Sequence, residues 1–144
     1  MAEISFVDIL LVEHNSGDIR LITDSLIEIA IKPSLSVVWN GIEAMQFLRQ
    51  EPPFEEAPRP RIIIMDLNLP GKHGIVVLKE IKSDPTLALT PVIVLSGSDA
   101  PQDISTCYSL CANCYLVKPR NLYDYTETIR SLVDFWLKKV RLPP

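Results

Sequence analysis

Four short apolar runs of this 144-residue chain each end on a residue that can take part in chemistry. The residues that close the runs are Glu13, Asp66, Ser96 and Lys118. Such runs are typical of buried strands in a parallel sheet. Because ligands bind at the carboxyl ends of parallel strands, we expect these four side chains to form one site.

The residue types in this expected site suit phosphoryl transfer. The Asp66 carboxylate can act as a nucleophile toward phosphorus. Lys118 can place a positive charge against a phosphoryl oxygen, and the Ser96 hydroxyl can donate a hydrogen bond to another. Because the carboxylates and the phosphoryl group are all anionic, the reaction also needs a divalent cation, and Mg2+ accepts oxygen ligands. The sequence therefore predicts Mg2+ as the cofactor.

The rest of the chain predicts the architecture that positions the site. Short apolar runs alternate with longer amphipathic segments, which is typical of βαβ units. The predicted fold class is α/β, a doubly wound five-stranded parallel sheet flanked by five helices. The predicted strands are Asp8 to Glu13, Ser34 to Val38, Arg61 to Asp66, Pro91 to Leu95 and Cys114 to Val117.

Capping signals predict where the first four helices begin. Asn15 or Ser16 is expected to cap the first helix, and Asn40 with Glu43 resembles a capping box for the second. The third helix is predicted from about residue 74 to 83, and the fourth opens near residues 99–101. The inward stripe of the first helix is predicted to consist of Ile19, Ile22, Leu26 and Ile29.

The last helix is predicted from about Leu122 to Val140. Its apolar stripe is broader than one sheet face requires, which suggests that part of it packs against a second copy of the chain. A helix packed wholly within one copy is the alternative. The predicted stripe consists of Leu122, Tyr125, Ile129, Leu132, Trp136 and Val140, widened by Val133 and Leu137.

Composition excludes several classes of function. The net charge is −4 and Lys and Arg form no cluster, so we expect no nucleic-acid partner. No apolar run approaches the roughly 20 residues of a membrane span, and the N-terminus lacks a secretion signal. We therefore expect a cytoplasmic protein without a membrane partner. Cys107, Cys111 and Cys114 are predicted to be reduced and to serve packing.

Four stretches keep the order and spacing of one known family over nearly the whole chain. They read Ile9-Leu-Leu-Val-Glu13-His14-Asn15, Ile64-Met-Asp66-Leu-Asn68-Leu-Pro70-Gly71, Val94-Leu-Ser96-Gly97 and Tyr115-Leu-Val-Lys118-Pro119. Together they resemble the receiver domain of two-component response regulators, which has a flavodoxin-like fold. The resemblance implies a single receiver domain over residues 1–144, structured from about 6 to 141, with no output domain.

The resemblance also implies roles for individual residues. Asp66 would be the phosphoacceptor, and Lys118 would contact the phosphoryl group. Ser96 and Tyr115 would be the switch pair, in which the aromatic side chain changes rotamer when Ser96 is drawn toward phosphate. The Lys118-Pro119 peptide bond would be cis, which would help to aim the lysine inward.

The implied metal site departs from the family at one position. Glu13, Asp66 and the backbone carbonyl of Asn68 would hold the metal, but His14 stands where a carboxylate normally coordinates Mg2+ directly. Imidazole is a poor ligand for this hard ion, so we expect weakened or altered metal binding. Two hypotheses for His14 stay open: its imidazolium pairs with Asp66 and replaces part of the cation's role, or it turns outward without new chemistry.

The resemblance implies the partners as well. The predicted function is to accept a phosphoryl group from a sensor histidine kinase and to switch protein contacts, as a signalling domain rather than a free-standing enzyme. The stretch Asn113 to Leu122, followed by Phe135-Trp-Leu, is similar to single-domain regulators that partner bacterial phytochromes. A homodimer would form through the fourth helix, fifth strand and fifth helix. The alternative is a pseudo-receiver that binds proteins without ever being phosphorylated, because His14 replaces a metal-binding carboxylate.

Overall fold

The computed structural model describes residues 6–27 and 32–144. Its strands form one parallel sheet in the order β2-β1-β3-β4-β5, which confirms the predicted fold class. The strands are β1 (Phe6–Val12), β2 (Lys32–Val38), β3 (Ile62–Met65), β4 (Val92–Ser96) and β5 (Cys114–Val117).

The strand ends lie within two residues of the predicted ones. Ser96 is the last residue of β4, whereas the other three polar residues follow directly after their strands. Val12 of β1 pairs with Met65 of β3, and the chain order of the sheet reverses between these two strands. Glu13 and Asp66 therefore emerge side by side at the position where open α/β sheets bind ligands.

Five helices cover the two faces of the sheet, as the sequence predicts. They are α1 (Ser16–Ile27), α2 (Gly41–Leu48), α3 (Gly74–Ser83), α4 (Pro101–Ser109) and α5 (Leu122–Val133). Of the two candidate caps for α1, Asn15 makes the capping bond, because its Oδ1 accepts from the Asp18 amide at 2.9 Å. Asn40 caps α2 in the same way at 2.8 Å. None of the described helices is long and apolar enough to cross a bilayer.

The sheet separates two apolar cores. One face packs against α2, α3 and α4, where Cys107 is fully buried, and the other packs against α1 and α5. Ile22 and Leu26 of α1 lie in the second core as predicted, whereas Ile29 lies outside the described residues. All three cysteines are free thiols.

The predicted last helix changes type before its end. α5 stops at Val133, and a π-helical segment, Asp134–Lys139, continues it. The Val140 amide donates to the Phe135 carbonyl five residues back, which is the π-helical pattern. Leu122, the first residue of α5 and a member of the predicted stripe, is 71% exposed and therefore does not contribute to the core of the single chain.

Gly74 allows α3 to approach the strand end that carries Asp66. Its amide donates to the Leu67 carbonyl at 2.8 Å. A Cβ atom at position 74 would lie 2.5 Å from the Asp66 carbonyl oxygen and 2.6 Å from the Leu67 Cα. Both neighbours are backbone atoms, so the contact cannot be relieved by rotating a side chain. Any larger residue must push α3 away from the site.

We expect Gly74→Ala to lower the free energy of unfolding by about 2 kcal/mol through this overpacking. Urea denaturation followed by far-UV circular dichroism measures the loss. Gly97→Ala is the matched control, because a Cβ atom at Gly97 would meet nothing within 4 Å. Equal stability of the two variants would contradict the steric role of Gly74.

Candidate functional site

Three of the four predicted side chains, those of Glu13, Asp66 and Lys118, meet at the carboxyl edge of the sheet, with Lys118 at their centre. Its Nζ lies 2.8 Å from Glu13 Oε2 and 3.2 Å from Asp66 Oδ2. The Lys118 amide also donates to the Ser96 carbonyl at 2.7 Å, which connects the end of β5 to the end of β4. Polar residues that follow three different strands therefore share one cleft, and the backbone of Ser96 is bonded to its edge.

Glu13 is buried and completely hydrogen-bonded. Its Oε1 accepts from the amides of His14 and Asn15, each at 3.1 Å, and its Oε2 accepts from Lys118. Burial raises the pKa of this carboxyl above its usual value, the hydrogen bond from Lys118 opposes that rise, and the charge of Asp66 adds to it. The negatively charged form of Glu13 is therefore stabilised by Lys118.

Asp66 presents one carboxylate oxygen to the cleft. Its Oδ1 accepts from the Leu67 amide at 2.7 Å, which fixes the side chain, while Oδ2 contacts only Lys118 among the described residues. The residue is 8% exposed. The cleft is open to solvent, has a volume of about 290 Å3, and is lined by Glu13, His14, Asn15, Asp18, Asp66, Asn68, Gly97 and Lys118.

Lys118 is held as a cation by the surrounding acids. Burial alone would lower its pKa, but hydrogen bonds to Asp18 and Glu13 and the charge of Asp66 raise the pKa above its usual value. A lysine with a raised pKa in the folded state stabilises the fold at every pH below its usual value, and that contribution is lost only in strong base. Lys118 is therefore positively charged throughout the neutral range.

The expected cis bond between Lys118 and Pro119 is a wrong prediction. Among the described residues the one cis peptide bond joins Pro52 and Pro53. Lys118 reaches its carboxylate partners with the trans bond, so the cis form is not required to aim the side chain inward.

Asp18 is a site residue that the sequence analysis missed. It lies in the first turn of α1, and its Oδ2 accepts from Lys118 Nζ at 2.8 Å, as close as Glu13. In a capping box, the acid at this position would bond the amide of the cap residue, Asn15. Here Glu13 takes that amide, which leaves Asp18 free to turn into the cleft. The sequence signal for Asp18 was an acidic residue three positions after the capping Asn15, close to Glu13.

Ser96 and Tyr115 lie close together, and both form hydrogen bonds with Ser98. Ser96 is fully buried, and its Oγ accepts from the Ser98 amide at 3.2 Å. The Tyr115 hydroxyl donates to the Ser98 carbonyl at 2.8 Å, and Ser98 Oγ donates to Asp103 of α4 at 2.6 Å. The loop after β4 thus joins the expected switch pair to α4.

His14 and Asn68 both line the cleft with exposed side chains. Among the described residues His14 makes no ion pair with Asp66, whose Oδ2 is contacted by Lys118 instead. The hypothesis of a His14–Asp66 pair is therefore not met in this arrangement, in which His14 is exposed and lines the cleft.

The donor atoms in the cleft suit a hard divalent cation. Three carboxylate oxygens from Glu13, Asp18 and Asp66 surround a single ammonium group, so the cluster has an excess of negative charge. As the side chains stand, no group of three or more acidic, His or Cys residues in the described part is positioned to hold a metal. Lys118 occupies the centre, and these carboxylates must shift for an ion to enter.

The match to a protein family agrees with this geometry. Residues 9–130 match the family described as "Response regulator receiver domain". The chain belongs to this family, and is thus a receiver domain of two-component signalling.

The similar proteins include a phytochrome response regulator. Response regulator Rcp1 of Synechocystis sp. (strain ATCC 27184 / PCC 6803 / Kazusa) is 44% identical over 94% of this chain and 92% of its own length. The crystal structure of the phosphorylated cyanobacterial phytochrome response regulator RcpA superposes with a TM-score of 0.95 at 44% identity, covering 97% of this chain and all of that one. The crystal structure of the Mn2+-bound form of Rcp1 superposes with a TM-score of 0.94 at 43% identity, covering 96% of this chain and 99% of that one.

We expect Lys118→Met to lower the free energy of unfolding by about 3 kcal/mol at pH 7, because buried carboxylates lose their counter-charge. The loss should be smaller at pH 5. A raised Glu13 pKa means that the folded state binds a proton more readily than the unfolded chain, so acidification relieves the repulsion. Urea denaturation at both pH values measures the two effects.

Lys138→Met is the matched control, because Lys138 pairs with Asp134 on the surface, where both side chains are substantially exposed. A surface pair of this kind contributes less than about 1 kcal/mol. A Lys118→Met variant as stable as this control at pH 7 would contradict the central role of Lys118.

Proposed function

We propose that this receiver domain accepts a phosphoryl group on Asp66 from a sensor histidine kinase and passes the signal on through protein contacts. The observation that carries the proposal is the Asp66 Oδ2 atom, which faces an open cleft while Oδ1 is fixed by a backbone amide. One carboxylate oxygen is thus oriented and the other is available for attack.

The transfer needs a change of partner for Lys118. Asp66 Oδ2 forms the new P–O bond as the P–N bond of the kinase phosphohistidine breaks, and the histidine leaves with the electron pair. Lys118 Nζ already contacts Oδ2, so it needs only a small shift to contact a phosphoryl oxygen. Bound Mg2+ would neutralise charge on the phosphoryl and carboxylate oxygens, with Glu13, Asp66 and the Asn68 carbonyl as its proposed ligands.

The signal leaves the cleft through Ser96 and Tyr115. A phosphoryl group on Asp66 offers acceptor oxygens to the Ser96 hydroxyl. Movement of Ser96 would disturb the bond from the Ser98 amide, and Ser98 is also the acceptor for Tyr115 and the donor to Asp103. These hydrogen bonds support a path from the cleft to the start of α4.

The first test is chemical phosphorylation. Incubation with a small phosphodonor and Mg2+ should add one phosphoryl group by intact mass, and Asp66→Asn should abolish the addition. Asp24→Asn is the matched control, since Asp24 is an exposed acid on α1 with Arg20 as its partner. Absence of an adduct with any divalent cation would favour the pseudo-receiver alternative instead.

The proposed kinase class rests on the relatives. RcpA is described as a cyanobacterial phytochrome response regulator, and it covers this chain almost completely at 44% identity. We therefore propose a phytochrome-type histidine kinase as the partner. No part of the proposal requires an output domain, because α4, β5 and α5 themselves would present the changed surface.

We propose that a second copy of the chain packs against the edge of the sheet formed by β5. This edge carries an open cleft of about 360 Å3 next to the exposed Phe135, whose ring stacks edge-on against Trp136. Exposed apolar side chains continue along α4, β5 and α5. They include Tyr108, Val117, Leu122 and Tyr123. A patch of this kind supports a two-fold contact through the same elements that would carry the signal.

We expect Phe135→Glu to weaken self-association at least tenfold, because it places a charge in the apolar contact. Sedimentation equilibrium over a concentration series measures the dimer constant. Ile42→Glu is the control, since Ile42 is 50% exposed and lies on α2, which packs beside β2 at the other edge of the sheet. A monomeric wild-type protein at all concentrations would contradict the dimer proposal.

A further inference from the structure

Asp18 is a charged residue of the cleft that has no role in the proposed phosphoryl transfer. Its side chain is 21% exposed, compared with 2% for Glu13 and 10% for Asp66, and it contacts the same ammonium group. It comes from α1 rather than from a strand end. Three carboxylates thus face the cleft even though position 14 carries no acid.

A buried hydroxyl next to Asp18 has no hydrogen-bond partner among the described residues. Tyr125 of α5 is 6% exposed and its hydroxyl is fully enclosed. Burial raises the pKa of this hydroxyl, and the nearby charges of Asp18, Glu13 and Asp66 raise it further. Tyr125 is therefore a neutral donor beside the acids. Asp18 is near enough to raise the pKa of this hydroxyl, although the two groups are not in hydrogen-bonding geometry.

We propose that Asp18 supplies the third carboxylate of the divalent-cation site, in place of the missing acid at position 14. The inference rests on the proposed function of the cleft and specifies its metal ligands. Asp18 is a hard oxygen donor already turned toward Glu13 and Asp66, whereas His14 is exposed and offers nitrogen. On leaving Lys118, Asp18 could accept a hydrogen bond from Tyr125, which would orient it as a ligand.

The cation and Lys118 then compete for the same oxygens. Lys118 Nζ lies 2.8 Å from Asp18 and Glu13 and 3.2 Å from Asp66. Mg2+ holds its oxygen ligands at about 2.1 Å, so the carboxylates must close in by roughly an ångström as Lys118 withdraws. This withdrawal would also free the lysine to contact an incoming phosphoryl group. Cation binding at Asp18 would thereby prepare the cleft for transfer.

Mn2+ binding without any phosphodonor tests the inference, with free Mn2+ followed by electron paramagnetic resonance. We expect Asp18→Asn to weaken Mn2+ binding at least tenfold and His14→Ala to change it less than twofold. Asp24→Asn, which removes an acid from the exposed side of the same helix, should also change binding less than twofold. Urea denaturation checks that each variant is folded.

Ionic strength separates ligation from a general charge effect. Long-range attraction fades when salt shortens the screening length, whereas direct coordination persists. The tenfold difference between wild type and Asp18→Asn should therefore remain in 0.5 M KCl. The double variant His14→Asp with Asp18→Asn should regain wild-type affinity, because it moves the carboxylate to the other position.

Three results would overturn the inference: no Mn2+ binding by the wild type, Asp18→Asn affinity within twofold of wild type, or a difference that disappears in high salt. Each can be distinguished from failure of the proposed function. Phosphorylation of Asp66 that occurs while Asp18→Asn binds Mn2+ normally would leave the function standing and remove only the role of Asp18. Loss of Mn2+ binding in Asp18→Asn, combined with no phosphoryl adduct on Asp66 of the wild type, would support the role of Asp18 and contradict the proposed function.

Discussion

The ammonium group of Lys118 allows the rest of the site to exist. It follows the edge strand β5, yet it contacts carboxylates that come from the ends of β1 and β3 and from the start of α1. Burial raises the pKa of Glu13, and the negative charge of Asp66 adds to that rise. Without a central cation these buried acids would repel one another, so their clustering depends on one residue.

The same residue connects charge in the cleft to the protein surface. The Lys118 amide bonds the Ser96 carbonyl, while its side chain holds the acids. Ser98, which lies two residues after Ser96, forms hydrogen bonds with both Tyr115 and Asp103. We therefore propose that a change of charge at Asp66 acts on groups that are bonded to the start of α4. Receivers can switch through small shifts of this kind because packed cores adopt discrete arrangements.

The sequence predicted the features that have a strong local signal. Apolar runs ending on Asp66 and Lys118 defined both the strands and the edge where the site lies. Asp18 was missed because it begins a helix, and an acid in a first turn is usually explained by the helix dipole alone. The π-helical segment was missed because α-helical and π-helical spacing predict similar burial over six residues. Neither could be found without knowing which neighbours compete for each hydrogen bond.

The proposed use of Asp18 in place of an acid at position 14 keeps a third carboxylate in the cleft but changes how that carboxylate is attached to the fold. A carboxylate directly after β1 would be fixed by the sheet, as Glu13 is by the amides of residues 14 and 15. Asp18 is borne by α1, is more exposed than Glu13, and is held only through Lys118 among the residues described. A cation site that uses it must be assembled rather than preformed. The free energy needed to move Lys118 lowers the affinity of such a site for the cation. It also couples cation binding to the release of Lys118, which would then contact the phosphoryl group.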